Sequence, residues 1–395
     1  MDNMAYPYVI DTLFTLFAMT LIVFMVPGFA MLEAGLVRTK NVTSVLTINV
    51  MIYAIASIVF LLVGYSLAFG SWENSSMSIY AAFLFQMAFV GKTVNIMSGG
   101  VSERVRILPL ALFTLVMAGL IYPIVVNISW GADFLDGTFL DLNMYDLAGS
   151  TVIHSTGGWA LLTAILIIGP RKGRYQGNAI RVIPASNIPL VVLGGLLLWI
   201  GWFGFNGGSV GSIASKESAD TVALTIMNTN TSGLAGAIIA GIVMYMRYRK
   251  FDITMILNGA LGGLVAITAG PDLYDIYTPI LIGTIGGALV VFAVPIFDKF
   301  RMDDPVGALS VHLVNGIWGT LAVGIFAADA DAGITLMGQI KGIVIVAIFA
   351  FGVSYAVIYA INKFMPFRAE DDDQVQGLDV GECGLEAYPE FKRAF

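Results

Sequence analysis

The sequence predicts an all-α polytopic membrane protein: eleven transmembrane helices, arranged as an inverted five-helix repeat plus one terminal helix. Three observations lead there. First, 57% of the 395 residues are apolar and only 12% are charged, about half the charged share of a soluble domain, and the mean hydropathy is +0.84. A soluble domain of this size needs far more polar surface. Second, the apolar runs are long and continuous. A hydrocarbon core takes roughly 20 to 25 residues per helix, so eleven spans use about 220 to 275 residues and loops take the rest. The every-second-residue alternation of an outer-membrane barrel is missing. Third, one Asp–His pattern occurs twice, once near the end of each half of the chain.

The first span, 8–36, is preceded by Asp2 and by no Lys or Arg, so the basic head of a cleavable signal is lacking. Spans 44–70, 77–101, 107–128 and 146–170 complete a first repeat of about 8–170. Spans 186–210, 220–246, 253–270, 278–297 and 305–327 make the second, about 186–327, and 336–364 is the extra helix. Residues 1–364 thus form the membrane domain and 365–395 a tail, whose acidic run Glu370–Asp373 and polar stretch are by composition alone compatible with a disordered end. The joints alternate in charge. Arg38, Lys40, Arg104, Arg106, Arg171, Lys172, Arg174, Arg181, Arg247, Arg249, Lys250, Lys299, Arg301, Lys363, Arg368, Lys392 and Arg393 fall on one set, 17 of the 20 basic residues. The other set carries Glu73, Asp133, Asp136, Asp141, Asp220, Asp272, Asp275, Asp329 and Asp331, with Lys216 almost alone among them. The positive-inside rule puts the N-terminus outside and the tail in the cytoplasm, in a multi-pass protein of the cytoplasmic membrane. An odd number of spans agrees.

The repeated pattern is D-x7-H: Asp146 to His154, and Asp304 to His312, with Trp159 and Trp318 following. Each Asp stands where a polar joint becomes an apolar helix, the N-cap position, and Pro305 suits the first helical position. The two helices start from opposite faces. Eight residues of helix, at about 1.5 Å each, carry each imidazole roughly 12 Å inward, which is near the midplane of a ~30 Å core. Five spans per half invert the second repeat, the plan of many transporters with a midplane site. These are the chain's only two histidines. A lone buried His commonly serves as an interhelical hydrogen-bond partner; a matched pair reads as a functional centre. Asp146 and Asp304 read as structural caps. A single cysteine, Cys383, excludes an internal disulfide and a Cys-based metal cluster. No metal-ligand cluster, nucleophile motif or phosphate loop marks an enzyme, nothing requires a cofactor, and no feature suggests nucleic acid.

The ordered segments resemble the Amt/Rh ammonium transporters, on the Amt branch, over nearly the whole chain. They are Val26-Pro-Gly-Phe with Glu33-Ala-Gly-Leu-Val-Arg and Lys40-Asn, Gly64-Tyr-Ser-Leu-Ala-Phe-Gly, Phe85-Gln-Met-Ala-Phe89, and Ser102-Glu-Arg. The His154 segment follows, then Ile200-Gly-Trp-Phe-Gly-Phe-Asn-Gly-Gly-Ser209, the Asp303 to His312 segment with Gly316-Ile-Trp-Gly-Thr, and Gly377-Leu-Asp with Glu386-Ala-Tyr. The resemblance implies the ammonium-transporter fold and a homotrimer with one pore per protomer. It implies that Phe89 and Phe205 form a stacked phenyl gate, and that Phe85, Phe89, Trp130 and Ser209 recruit ammonium. Aromatic faces attract a cation by ~0.5 to 2 kcal/mol, and a hydroxyl accepts its N–H groups. Aromatics such as Trp202 and Tyr122 fit lipid-interface anchors equally well on chemistry alone. Since a bare cation at the bilayer centre is expensive, the resemblance implies deprotonation of ammonium, passage of ammonia, and proton handling by His154 and His312.

Three positions depart from the family pattern. Lys92 shares a helical face with Phe85 and Phe89, at i, i+4 and i+7. If that face lines the pore, Lys92 is a pore-block candidate below the gate; otherwise it faces a neighbouring helix and an acidic partner. Ser186 stands where the family often has His, and the tail reads Glu382-Cys-Gly-Leu-Glu where His-Gly-Glu is usual, which leaves the tail's contacts with the membrane body in doubt. A conducting ammonium transporter is the first functional class. An ammonium sensor, conducting weakly or not at all and signalling through its tail, is the alternative. The tail is accordingly where a cytoplasmic regulatory protein of the PII type, or a fused signalling domain, would attach.

Overall fold

A computed structural model describes residues 5–131, 133–138, 140–329 and 331–391. Lys392 and Arg393, counted above among the basic joints, lie outside them. Ten helices are long and apolar enough to cross a membrane. They are α1 (Tyr6–Leu36), α2 (Thr39–Phe69), α3 (Ile79–Val101), α4 (Ile107–Trp130), α5 (Ser150–Ile168), α6 (Ile188–Ser209), α7 (Lys216–Tyr248), α9 (Thr278–Lys299), α10 (Leu309–Phe326) and α11 (Leu336–Phe364). The shorter apolar helix α8 (Ile253–Ile267) completes eleven. The chain is thus an all-α, multi-pass membrane protein. Against the sequence-based bounds, α2 begins at Thr39 instead of 44 and α7 at Lys216 instead of 220. Both extra turns are polar, so apolar periodicity misses them; α7 starts at a capping box in which Ser215 and Ser218 bond each other's amides.

Small residues set the helix spacing in the second half. A Cβ placed on Gly236 of α7 would stand 2.3 Å from the Gly259 carbonyl of α8, and one on Gly283 of α9 would stand 2.1 Å from the Ser232 carbonyl of α7. In lipid, where apolar contact alone does not drive association, such close backbone approach is what holds helices together. Helix α6 packs along α1 in the same manner, with Gly204 against the Ala18 carbonyl.

The basic joints meet on one face, and several of their charges are paired. Arg38 bonds Glu103, Glu103 meets Arg171, and Arg171 makes a bidentate pair with Asp303 at 2.8 and 2.9 Å. Arg104 adds a bond to the Asp303 carbonyl. The ends of α1, α3, α5 and α9 are thereby tied together. Burial pushes the Asp303 carboxyl up, but the Arg171 hydrogen bond and the charges of Arg104 and Arg171 more than offset it and hold it well below the usual carboxylate range.

The tail lies on this same face in two short helices, α12 (Asp371–Gln376) and α13 (Leu378–Cys383). The Asp379 carboxylate accepts from the Ser44 amide at the start of α2, and Glu382 accepts from the Ile107 amide at the start of α4 and from Arg106. Lys40 donates to the Gln374 and Val375 carbonyls. The disordered end that composition allowed is therefore not what residues 371–383 form: they are anchored through long-range contacts that local composition does not register.

Asp303→Ala leaves Arg171 in a buried site with Glu103 alone, and breaking a buried pair costs up to about 3 to 5 kcal/mol. The expected result is a clearly lower Tm in detergent. The Asp303 carboxyl is depressed in the folded state, so its stabilisation is present above the unfolded carboxyl's value and fades only as pH falls through the folded one. The gap to wild type should hold through neutral and mildly acidic pH and close only in strong acid.

Candidate functional site

Two helix entries bring the histidines together in the buried interior. Asp146 precedes α5, and its carboxylate accepts from the amides of Gly149, Ser150, Thr151 and Val152 at 2.8–3.0 Å. Asp304 does the same before α10, accepting from Val306, Gly307 and Leu309. Gly149 and Gly307, each three residues after its Asp, have φ of 107° and 80°. A side chain is strained in that region, so the D-x-x-G spacing turns the chain from joint into helix. Both helices then open with a wide π turn, Ser150–Ser155 and Leu309–Val314, and each histidine lies in one.

This corrects the expected geometry. Neither Asp is at the N-cap itself, and eight residues of continuous helix do not separate Asp from His. Residues 146–149 are not helical, and α5 begins only four residues before His154. Pro305 likewise lies in the turn before α10 rather than inside the helix. The cause is the positive-φ glycine, which a count of apolar spacing passes over.

The two imidazoles face each other, with His154 Nδ1 and His312 Nδ1 3.1 Å apart and the rings inclined by 17°. One nitrogen must donate and the other accept, which fixes opposite tautomers on the two rings. One Nε2 then carries a proton and the other a lone pair. His154 lies against Phe205 at 5.5 Å and Trp202 at 5.2 Å, nearly parallel to both.

Toward the acidic joints, Phe205 meets Phe89 at 4.5 Å, and Phe89 meets Phe85 at 4.8 Å. Phe89 and Phe205 are almost completely buried. They stand at 86° to each other, edge to face rather than stacked in parallel, the arrangement that the ring quadrupoles prefer. Beyond them opens a vestibule of about 490 Å³, lined by Phe85, Phe89, Trp130 and Ser209 together with Gln86 and Glu73. Trp130 is fixed by its indole N–H on the Asp146 carbonyl, and the Ser209 hydroxyl donates to the Phe205 carbonyl. Its lone pairs are left to accept. Vestibule, crossed rings and imidazole pair follow one another into the molecule.

Residues 13–388 match the sequence profile of the Ammonium Transporter Family. The chain belongs to that family. It is 34% identical to the ammonium transporter Amt2 of Archaeoglobus fulgidus, covering 97% of this chain and 89% of that one. It is 33% identical to an ammonium transporter of Bacillus subtilis, covering 96% and 98%. A solved structure described as a sensor Amt protein superposes with a TM-score of 0.88 at 31% identity, covering 95% of this chain and 99% of that one. Mep2 of Saccharomyces cerevisiae superposes at 0.82 with 26% identity, covering 94% and 90%.

Within this ammonium-transporter fold, Trp202 and Tyr122 are buried, not at a lipid interface. Trp202 stacks on His154 and donates to Thr268 Oγ1; its signal was present in the Gly-Trp-Phe-Gly-Phe segment but not in its chemistry. Lys92 is buried, with its ammonium group 5.4 Å from the centre of the Tyr53 ring on α2. Its Nζ has no hydrogen-bond or ion-pair partner among the described residues, and it does not line the vestibule. It thus faces a neighbouring helix without the acidic partner that would have balanced it. Ser186 donates to the carbonyls of Ala34 and Gly35 on the basic face.

Asp146→Asn keeps one accepting oxygen and gives up the amides held by the other, while Asp146→Ala gives up all four. A buried amide left without a partner costs about 1 to 3 kcal/mol. Tm should therefore fall in the order wild type, Asn, Ala. An Ala variant as stable as wild type would show that the carboxylate does not anchor the α5 entry.

Proposed function

We propose that the chain moves ammonium nitrogen across the cytoplasmic membrane. Ammonium is recruited in the vestibule by Phe85, Phe89, Trp130 and Ser209. The aromatic faces supply cation–π attraction and the Ser209 oxygen accepts an N–H. A cation cannot cross the dry centre cheaply, so ammonium that has passed the Phe89–Phe205 gate gives up a proton at the imidazole pair and continues as ammonia. His154 and His312 take up and hand on that proton. The observation that carries this reading is the imidazole pair, 3.1 Å apart and roofed by the crossed phenyl rings. A pair of opposite tautomers offers the pore one donor and one acceptor at once, which suits a molecule that is itself both.

The basic face, by the positive-inside rule, is cytoplasmic and the vestibule opens outside. Residues 1–364 act as the membrane domain, in a homotrimer with one pore in each chain, and 365–395 as a cytoplasmic tail. A PII-type partner or a fused signalling domain engaging the tail would act on the starts of α2 and α4 through Asp379 and Glu382.

A second reading is a sensor that conducts weakly or not at all. Lys92 favours it, as does the likeness to the sensor Amt protein. Lys92 follows Phe89 by three residues on the same face of α3, and blocking would require its long stem to carry its head from Tyr53 into the pore. A charge there repels a cation by ~4 kcal/mol at 4 Å and an effective dielectric of 20, enough to cancel recruitment.

Flux in reconstituted vesicles, measured beside equilibrium ammonium binding, separates the two. For a transporter, wild type conducts and His154→Ala lowers flux by about 100-fold or more with Tm little changed. For a sensor, wild type binds without conducting, and Lys92→Ile raises flux by at least about tenfold. A conducting wild type that Lys92→Ile leaves unchanged ends the sensor reading.

Topology is tested by single cysteines at positions 216 and 249 in a Cys383→Ser background. Impermeant reagent added outside should label 216 and spare 249; the reverse would invert the assignment.

A further inference from the structure

On the basic-face side of the histidine pair, α1, α3, α8 and the turn before α10 enclose a cavity of about 20 Å³. That is room for one water- or ammonia-sized molecule. His312 forms part of its wall, with Glu33, Asn95, Asn258, Phe29 and Val311. Two of these polar residues have unusual surroundings. Asn95 is fully buried, and neither its Oδ1 nor its Nδ2 has a hydrogen-bond partner among the described residues. A buried amide unsatisfied at both ends is costly unless something in the cavity answers it. Glu33 is also buried, and among the described residues its carboxylate receives only two neutral donors, Asn49 Nδ2 at 2.9 Å and Ser98 Oγ at 2.8 Å. Each oxygen keeps a further lone pair. Gly99 leaves the approach to it clear, since a Cβ there would stand 3.1 Å from Glu33 Oε1 and 2.8 Å from Val306 Cγ2.

A carboxyl with purely structural duties would be expected to face a cation or the amides at a helix end, as Asp303, Asp146 and Asp304 do here. Glu33 faces a cavity shared with His312 and an unsatisfied amide. We infer that Asn95, Glu33 and His312 form a second station for the transported nitrogen, at which Glu33 returns a proton to ammonia. This rests on the transport reading and deepens it.

The step balances. Ammonia enters the cavity and is held through its N–H groups by Asn95 Oδ1. Its lone pair takes the Glu33 carboxyl proton, so that an N–H bond forms and the O–H bond breaks, leaving ammonium and carboxylate. The proton deposited on the imidazole pair by the incoming ammonium then moves from an imidazolium N–H to the Glu33 oxygen and restores the carboxyl. One ammonium enters and one leaves, and no proton is gained or lost.

Glu33→Gln keeps the volume of the side chain and its anchoring, because Asn49 and Ser98 can each donate to or accept from an amide. The first readout is infrared difference spectroscopy of the full chain in membranes, with ammonium chloride added. A carboxyl C=O band that responds to ammonium in wild type should be absent from Glu33→Gln; the same band in both, or none in wild type, overturns the inference. The second readout is flux. Ammonium-driven current should fall by at least about tenfold in Glu33→Gln. Equal currents in the two proteins overturn the inference. A wild type that shows the band and passes nothing overturns the transport reading and leaves the station standing. If Glu33→Gln does not fold, Asn95→Leu replaces it: removing the amide should shift the carboxyl band, and an unshifted band counts against the station.

Discussion

A helix that begins inside a hydrocarbon layer leaves its first amides with no water to answer them. Helices α5 and α10 begin among buried residues, likewise shielded from water, and the carboxylates of Asp146 and Asp304 answer seven amides between them. Much of the molecule's centre depends on those two carboxylates. They let the chain enter as a non-helical segment, turn at Gly149 and Gly307, and open a wide first turn from which each imidazole reaches the other. The same Asp146 offers its carbonyl to the Trp130 indole, so the entry turn of α5 and one wall of the vestibule are a single unit. Inversion of the repeat makes the arrangement economical. One local motif, used twice from opposite faces, brings two side chains together without a dedicated binding loop.

Much of this could be read from residue order. Composition and run length account for the membrane helices, and the paired D-x7-H spacing accounts for two histidines that meet. The shape of the approach was not legible in the same way. Counting eight residues as helix treats Gly149 and Gly307 as ordinary positions, although the shared D-x-x-G was there to be noticed. Trp202 is chemically indistinguishable from an interface anchor until its neighbours are known. Glu33 and Asn95 drew no attention because their significance lies in what fails to surround them, and an unsatisfied amide leaves no trace in spacing. The tail shows the limit most clearly. Asp379 and Ser44 are 335 residues apart, and nothing local to either announces the bond.

The basic face concentrates the contacts that tie the helices to one another. Arg38, Glu103, Arg171 and Asp303 link four helix ends, and the tail adds carboxylates at the starts of α2 and α4. The vestibule face has fewer such links and is closed chiefly by aromatic side chains. Rigidity on one side and ring packing on the other fit a molecule whose basic end is held in register while its vestibule end can admit a small solute.

The edge-to-face contact of Phe89 with Phe205 has a consequence for how anything gets through. Phe205 is braced flat against His154, and Phe89 is wedged crosswise between Phe205 and Phe85. On the proposed transport reading, motion of the rings alone could open a passage without a shift of either helix. A swing of one phenyl about its own stem is the smallest such motion. On that reading the barrier would work as a turnstile rather than a door: closed in its resting form, it would yield for an instant to a body about the size of the ring's excursion. Discrimination by size then comes from the rarity of larger swings, so bulkier amines would be slowed in proportion to their girth even where the vestibule welcomes their charge.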